Sequence, residues 1–285
     1  MTIDGFAVDL GGTKIAAARV EQGVVVGRVQ RVTDGAADLP VQLDTMELLL
    51  AELGFQHGER LGVAVAGRVD RDGNWHAVNT ATLRAIVAAP LGTALKARFG
   101  EGSLAINDAA AAAFAEYRLG AGRGSYNFAY VTVSTGVGGG LVLNGRLVDS
   151  GNGLAGHIGF TSSPFGKSLC GSRRMGTVES VAGGRAIAAA AGLPDAKAVF
   201  ENDPEHPAIR TSAQAVARLI ADLTAILGLD RVAVGGSIGL APGYLDKISE
   251  ALATEPELFC PMLTGAELGN DSGLVGALLR SLNPA

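Results

Sequence analysis

The sequence predicts an α/β protein built as two similar lobes with a cleft between them, and three observations predict it. A β-branched or apolar run, a Gly-rich turn and a second apolar run occur twice, as "FAVDLGGTKIAAARV" near the start and as "FAYVTVSTGVGGGLVL" from Phe128. A hairpin pattern used twice implies a repeated unit. Strand-like and helix-like segments alternate after each copy, which is the pattern of α/β layers. A chain of 285 residues with 48% hydrophobic content also suits two cores better than one.

In chain order, the first hairpin is followed by "VQLDTMELLLAEL", whose apolar residues have helical spacing, and then by the strand "LGVAVAGRVD". A second strand, "LAIND", feeds the helix "AAAAAFAEYRLG", rich in the strongest helix former. Mostly helices follow the second hairpin, among them "AQAVARLIADLTAILG"; a short strand "RVAVGG" ends in a glycine turn, and the last helix is "SGLVGALLRSL". No Pro- or Ser-rich linker separates the copies. The boundary is therefore expected just after "LAIND", giving a smaller N-terminal lobe over residues 1–107, joined by the final helix over 272–285, and a larger lobe over 108–271.

Composition excludes several roles. A net charge of −5, from 23 basic and 28 acidic residues without a local Lys/Arg cluster, offers no field for nucleic acid. Asp4 and Asp9 interrupt the first apolar run, which disfavours a secretory signal, and no apolar stretch reaches membrane-spanning length. A cytoplasmic protein with no membrane partner is expected. Cys170 and Cys260 are too few for a disulfide framework. His57, His76 and His206 lie in polar or turn-like contexts and receive no role.

The 41 glycines are concentrated beside the apolar runs, where chemistry becomes readable. In "DLGGTK", Gly11 and Gly12 allow backbone N–H groups to approach an anion, while Thr13 and Lys14 add a hydroxyl and a positive charge. A lone Gly-Gly pair also makes a plain hairpin turn. Asp9 changes the weighting, because a carboxylate at the end of a buried strand needs a cation or donors, and Mg²⁺ with its waters suits a phosphate turn. "STGVGGG" supplies the Ser134 and Thr135 hydroxyls and amides at Gly136, Gly138 and Gly139. Two such turns at equivalent points of a repeat could grip one polyphosphate.

Asn107 and Asp108 stand where a strand enters a helix. Both residue types cap helices well, and Asp108 in that place could also accept a hydroxyl proton. Gly235 and Gly236 end a strand in "VAVGGSIG" and either leave a flat surface for an adenine ring or serve helix packing.

"DLGGTK", "IND" before an Ala-rich helix, "VSTGVGGG", "GLAGHIGF" and "VGGSIG" stand in the order and spacing of the ROK family of sugar kinases, which the chain resembles over essentially its whole length. The resemblance implies a two-lobed actin-like ATPase (ribonuclease H-like) fold. "NDAAAAAFAEY", "VTVSTGVGGG", "GLAGHIG" and "VESVAGGRAIAAAA" are most similar to the family's bacterial N-acetylmannosamine kinases. ATP-dependent phosphorylation of the 6-hydroxyl of N-acetylmannosamine is what this branch implies. A hexokinase for glucose or another hexosamine, and a non-catalytic sugar-binding regulator, are the alternatives. Regulators of the family carry a DNA-binding segment ahead of the kinase-like region, whereas here the first strand begins within a few residues.

The resemblance assigns Asp9 and the "GGTK" turn to Mg²⁺-ATP, Ser134 to Gly139 to a second phosphate loop, and Asp108 to catalysis. It assigns sugar contacts to Gly67, Arg68, Asn79, Asn107, Asp108, His157 and Glu179, and implies a homodimer. One departure is large. The family's zinc motif places one His and three Cys where this chain has Phe160, Cys170, Ser172 and Thr177. Hydroxyls are poor zinc ligands, so zinc is expected to be absent. The loop over residues 161–178 is expected to be held instead by an apolar cluster of Phe160, Phe165, Leu169 and Met175.

Overall fold

Strand alternation decides how the first unit is layered. In the computed structural model, which describes residues 2–79 and 82–283, β1 (Gly5–Leu10), β2 (Lys14–Glu21) and β3 (Val24–Val32) form an antiparallel meander. After α1 (Leu39–Glu52), β4 (Leu61–Val65) pairs parallel with β1; the two-residue strands β5 (Arg68–Val69) and β6 (Trp75–His76) make a small hairpin. Helix α2 (Leu91–Phe99) precedes β7 (Ser103–Asn107), which is parallel to β4, and α3 (Asp108–Leu119) follows at once. The sheet order is β3-β2-β1-β4-β7.

The second unit repeats this plan. Strands β8 (Phe128–Val133), β9 (Val137–Leu143) and β10 (Arg146–Leu147) are an antiparallel meander. Four helices follow: α4 (Glu179–Ala182), α5 (Gly184–Ala191), α6 (Ala196–Asn202) and α7 (Pro207–Leu227). Strand β11 (Arg231–Gly235) pairs parallel with β8; α8 (Gly236–Gly239) and α9 (Tyr244–Leu252) lead to β12 (Met262–Gly265), parallel to β11. Helix α10 (Ser272–Leu282) ends the chain. The order β10-β9-β8-β11-β12 matches the first sheet strand for strand.

The first compact unit comprises Met1–Ala115, Asp149–Ala155 and Asn270–Ala285, and the second Glu116–Val148 and Gly156–Gly269. The first turns of α3 and the short loop 149–155 thus group with the N-terminal sheet.

In the first unit, Phe6, Val8 and Leu10 point to one face of β1 and are buried with Met46, Leu49 and Leu50 of α1 and Leu91, Leu95 and Phe99 of α2. Ala7 points to the opposite face, where small side chains let α10 lie close: Ala7 and Ala18 pack with Leu274 and Leu278, and Ala64 packs with Ala111 and Ala277. Trp75 is fully buried, and its indole N–H donates to the Ala66 carbonyl at 2.9 Å. In the second unit, Val131 and Val133 of β8 and Val232 and Val234 of β11 pack with the apolar stripe of α7. The buried Tyr244 hydroxyl of α9 meets Ser212 Oγ of α7 at 2.6 Å, and burial pushes the phenol well above its ordinary value.

Strands β3 and β12 and helices α2, α5, α6 and α9 lie outside the segments picked out by sequence pattern. Strand β3 hides because it is an edge strand whose Val24, Val26 and Val32 remain exposed, so burial does not impose a strict alternation.

Backbone touches backbone where α10 crosses the sheet and α3. A Cβ at Gly62 would fall 2.1 Å from the Ala277 carbonyl carbon, and one at Gly276 would fall 1.8 Å from the Ala111 carbonyl oxygen. Gly276→Ala should therefore destabilise the protein by about 3 kcal/mol, although alanine is the better helix former by roughly 1 kcal/mol. Gly273→Ala, whose Cβ would meet nothing nearer than 3.9 Å, should stay within about 0.5 kcal/mol of the parent. Thermal denaturation of the two variants checks the contrast.

Candidate active site

Two carboxylates share the face of the first sheet that α10 covers. Asp9 is the fifth residue of β1, and alternation turns it to the side of Ala7. Its Oδ2 lies 3.9 Å from the position of a Cβ at Gly273, in the first turn of α10; the Asp108 carbonyl is equally close to that point. Burial raises the Asp9 acid above the ordinary carboxylate range, against the pull of Lys14 and Arg28.

Asp108 opens α3. The helix is capped by Asn107, whose Oδ1 accepts from Ala110 N at 2.9 Å, so the cap and the acid are separate residues. The Asn107 side-chain amide donates to the Gly67 carbonyl at 2.7 Å and to Asp108 Oδ1 at 2.8 Å. Asp108 Oδ1 also accepts from Ala109 N at 2.8 Å, and Oδ2 takes part in neither bond. Burial, then the nearby charge of Asp9, push the Asp108 acid up to about 7, opposed by the Ala109 amide and the Asn107 side chain. Such a carboxyl is poised to take or give a proton near neutrality.

The remaining first-unit candidates surround this pair in different ways. Gly11 N donates to the Lys14 carbonyl at 2.9 Å and closes the first glycine turn, and the Thr33 hydroxyl donates to the Gly11 carbonyl at 2.9 Å. Thr13 and Lys14 are exposed. Gly12 sits against Thr82, where a Cβ would come within 2.9 Å of that side chain; Thr82 N in turn donates to the Asn79 carbonyl at 3.3 Å. Through Thr82, Asn79 is thereby tied to the glycine turn.

Gly67 has φ +104 and lies under the His76 carbonyl, 2.4 Å from where its Cβ would be. The Arg68 guanidinium donates to the Asn152 carbonyl at 2.6 Å and holds the 149–155 loop, which Arg71 N also reaches at the Gly151 carbonyl. His76, unassigned by sequence, has its Nε2 3.0 Å from Asp70 Oδ2, and Asp70 Oδ1 accepts from Asp72 N and Asn74 N; these bonds, the His76 contact foremost, hold the Asp70 acid well below the carboxylate range.

The second unit holds the other glycine turn. Ser134 N donates to the Gly136 carbonyl at 2.9 Å, Ser134 Oγ is 3.1 Å from Ser237 Oγ, and Thr135 is exposed. Gly138 and Gly139 lie within β9, opposite Thr132 and Val131, and Gly139 is packed beneath Ile158. Gly156 and Gly159 clamp the following segment onto β9, with Gly159 against the Val137 carbonyl. His157 stacks on Phe160, ring centroids 5.8 Å apart. Glu179 is a strut: Oε2 accepts from Val137 N at 3.2 Å and Oε1 from Gly171 N at 3.1 Å, so both oxygens serve backbone.

Sequence reasoning missed a cavity of about 640 Å³ in this unit. Its apolar wall includes Ala188, Pro194, Phe200, Ile238 and Leu240, and its polar end is Ser134, Thr135 and Ser237. Arg185, Asp195, Lys197 and Glu201 also line it. Gly235 and Gly236 stand just before the lining residue Ser237 and do a packing job: a Cβ at Gly235 would meet the Tyr130 hydroxyl at 2.3 Å, and Gly236, φ +86, lies on the Val133 carbonyl. Only their neighbourhood was signalled in advance, by the strand-ending glycine pair.

The loop at the degenerate motif corrects one expectation. Phe165, Leu169 and Met175 are 39%, 60% and 60% exposed and form no apolar cluster. Backbone pairing holds the loop: Cys170 N donates to the Arg174 carbonyl, Ser163 N to the Gly176 carbonyl and Val178 N to the Thr161 carbonyl, all at 2.9–3.0 Å. Gly166 crosses directly over Gly176. Cys170 Sγ is 3.0 Å from Ser172 Oγ. Burial works to raise the Cys170 thiol, but hydrogen bonds from the Ser172 and Thr177 side chains and from the Ser172 and Arg174 backbone outweigh it and lower the thiol below its usual range. Among the described residues, no three His, Cys, Asp or Glu side chains converge to hold a metal ion; likewise, no described helix is long and apolar enough to cross a membrane.

Asp108 makes stability depend on pH. An acid raised from 3.8 to about 7 contributes fully below about pH 4, and that contribution is lost as the pH climbs through 7, because the buried group is then forced to ionise. Asp108→Asn removes the charge, so its stability relative to the parent should grow between pH 4 and 7 and level off above, reaching at most a few kcal/mol. Denaturant titrations of both proteins at pH 4, 6 and 8 measure this. A gap that does not change with pH would contradict the raised acid.

The ROK family model matches residues 5–281. An N-acetylmannosamine kinase from Citrobacter koseri is 40% identical over 282 residues, covering 96% of this chain and 97% of that protein. One from Haemophilus influenzae is 39% identical over 280 residues, covering 95% and 93%. Among solved structures, a ROK family glucokinase from Streptomyces griseus, in complex with glucose and AMPPNP, superposes with a TM-score of 0.81 at 27% identity, covering 96% of this chain and 97% of that one. The α/β fold with its repeated sheet is thus the actin-like ATPase fold of these sugar kinases, and the chain belongs to the ROK family.

Proposed function

We propose that this chain is an ATP-dependent kinase that phosphorylates the 6-hydroxyl of N-acetylmannosamine, working in the cytoplasm as a homodimer. Relatives that share about 40% of its residues over nearly its full length are named N-acetylmannosamine kinase. The observation that carries the chemistry is Asp108: a carboxyl raised to about 7, fixed at Oδ1 by Ala109 N and Asn107, with Oδ2 outside those bonds. In the reaction, the sugar oxygen forms a bond to the γ-phosphorus as the bond to the departing ADP oxygen breaks, and the hydroxyl proton passes to Asp108. Transfer of this kind asks mainly for alignment and charge neutralisation, with the proton moving late.

Other residues have supporting roles. The cavity of the second unit suits the nucleoside, with its apolar wall toward the base and Ser134, Thr135 and Ser237 toward the phosphates. Asp9 fits Mg²⁺: its carboxylate is raised by burial at the end of β1, beside the Gly11–Gly12 turn, and gains from a nearby cation. Mg²⁺, when bound, would neutralise phosphate charge. Asn79 and His157 are the polar groups assigned to the sugar's substituents. Arg68, Asn107 and Glu179, whose side chains already bind backbone, position the surrounding loops.

Zinc is not part of this reading. Phe160, Ser172 and Thr177 supply no thiolate or imidazole, and Cys170 alone cannot hold a structural ion.

Three measurements test the proposal. A coupled assay across N-acetylmannosamine, N-acetylglucosamine, mannose and glucose should show kcat/KM for N-acetylmannosamine at least about ten-fold above glucose; equal values would overturn the sugar assignment. Asp108→Asn should keep its fold and lose roughly two or more orders of magnitude in kcat, and the parent's kcat/KM should fall below about pH 7, where the base is protonated. Elemental analysis should find no stoichiometric zinc, with activity unchanged by a zinc chelator that spares Mg²⁺; one zinc per chain would refute that part.

A further inference from the structure

We infer that the Arg185 guanidinium binds the phosphate chain of the nucleotide in the second-unit cavity, and that it is the cation by which the cavity tells a nucleotide from a bare nucleoside. This rests on reading the cavity as the ATP site. Arg185 lines the cavity, is exposed, and is the second residue of α5.

Backbone pairing places it at the phosphate end. Gly184 N donates to the Ser134 carbonyl at 2.7 Å and Arg185 N to the Thr135 carbonyl at 3.3 Å, so the start of α5 is stitched to the second glycine turn. Those two amides are taken by turn carbonyls, so the donors Arg185 itself can offer a phosphate beside the Ser134, Thr135 and Ser237 hydroxyls are those of its side chain.

Charge accounting among the described lining residues singles out the same group. Lys197 pairs with Glu201 one helical turn on, N to O 3.6 Å, and Asp195 Oδ1 accepts from Ala198 N at 2.8 Å as the cap of α6. Among the described residues Arg185 has no ion pair or side-chain hydrogen bond, so no internal contact has to break when an anion arrives. A guanidinium offers a planar fork of donors that fits phosphate oxygens two at a time, which an ammonium cannot do.

The experiment is calorimetric titration of the full-length parent, Arg185→Met and Arg185→Lys with ADP and, separately, with adenosine. Arg185→Met should weaken ADP about ten-fold, equivalent to 1.4 kcal/mol, and leave adenosine unchanged; Arg185→Lys should fall between. KM for ATP should rise in the Met variant while KM for the sugar stays put. The thermal midpoint should not move, since the side chain is exposed. Equal weakening of ADP and adenosine would assign Arg185 to the base or ribose and overturn the inference, as would unchanged ADP affinity. A parent that binds neither ADP nor adenosine would instead overturn the assignment of the cavity, and the inference with it. Because binding is read without turnover, failure of the Arg185 contact and failure of the sugar-kinase reading give different results.

Discussion

Contact of main chain with main chain is the constraint on which this fold depends. Gly62 and Gly276 let α10 lie on β4 and α3, while Gly159 lets the segment after His157 lie on β9, and Gly236 lets α8 start directly on β8. At each place a single methyl group would have to occupy the space of a carbonyl. Interiors are packed too densely to absorb such a change locally. The same closeness brings α10 and the start of α3 over the carboxylate face of the first sheet. The chemistry of Asp9 and Asp108 therefore follows from how little room the glycines leave.

That proximity sets the electrostatics. Burial alone raises both acids, and the charge of Asp9 adds to the rise at Asp108. The Ala109 amide and Asn107 counter it without cancelling it. Asp9 is the fifth residue of β1, and its counterpart in the repeated sheet, the fifth of β8, is Thr132. The repeat has therefore kept a topology while its strands diverged: the fifth position carries a buried carboxyl in the first copy and a hydroxyl in the second, and the cavity lies in the second.

Sequence pattern revealed the hairpins, the Ala-rich helix, the closing helix and the glycine turns, because each rests on local rules of periodicity and turn chemistry. Asn107 and Asp108 were legible as a pair at a helix start, but which one caps and which stays available is decided by side-chain rotamers. The cavity was not legible. The apolar residues of α5, α6 and α8 read alike whether they fill a core or line a hollow, since periodicity reports only that one face avoids water. Arg68 and Glu179 looked like groups free to meet a ligand, whereas their partners are backbone atoms: for Arg68 the Asn152 carbonyl of a distant loop, for Glu179 the amides of Val137 in β9 and of nearby Gly171. The expected cluster of Phe160, Phe165, Leu169 and Met175 failed for a related reason: Phe160 stacks on His157, while Leu169 and Met175 face each other across an isolated bridge of a short hairpin and stay mostly exposed.

The loop between Ser163 and Val178 changes what controls local order in this part of the molecule. A loop closed around an ion is ordered when the ion is available and loosens when it is scavenged, so its state follows the chemical activity of a solute. Here the closure is a set of backbone hydrogen bonds and one glycine crossing. Donor and acceptor of each of those bonds belong to this chain. Order in the loop therefore follows the stability of the surrounding fold, and whatever loosens β9 or the start of α4 loosens the loop with it.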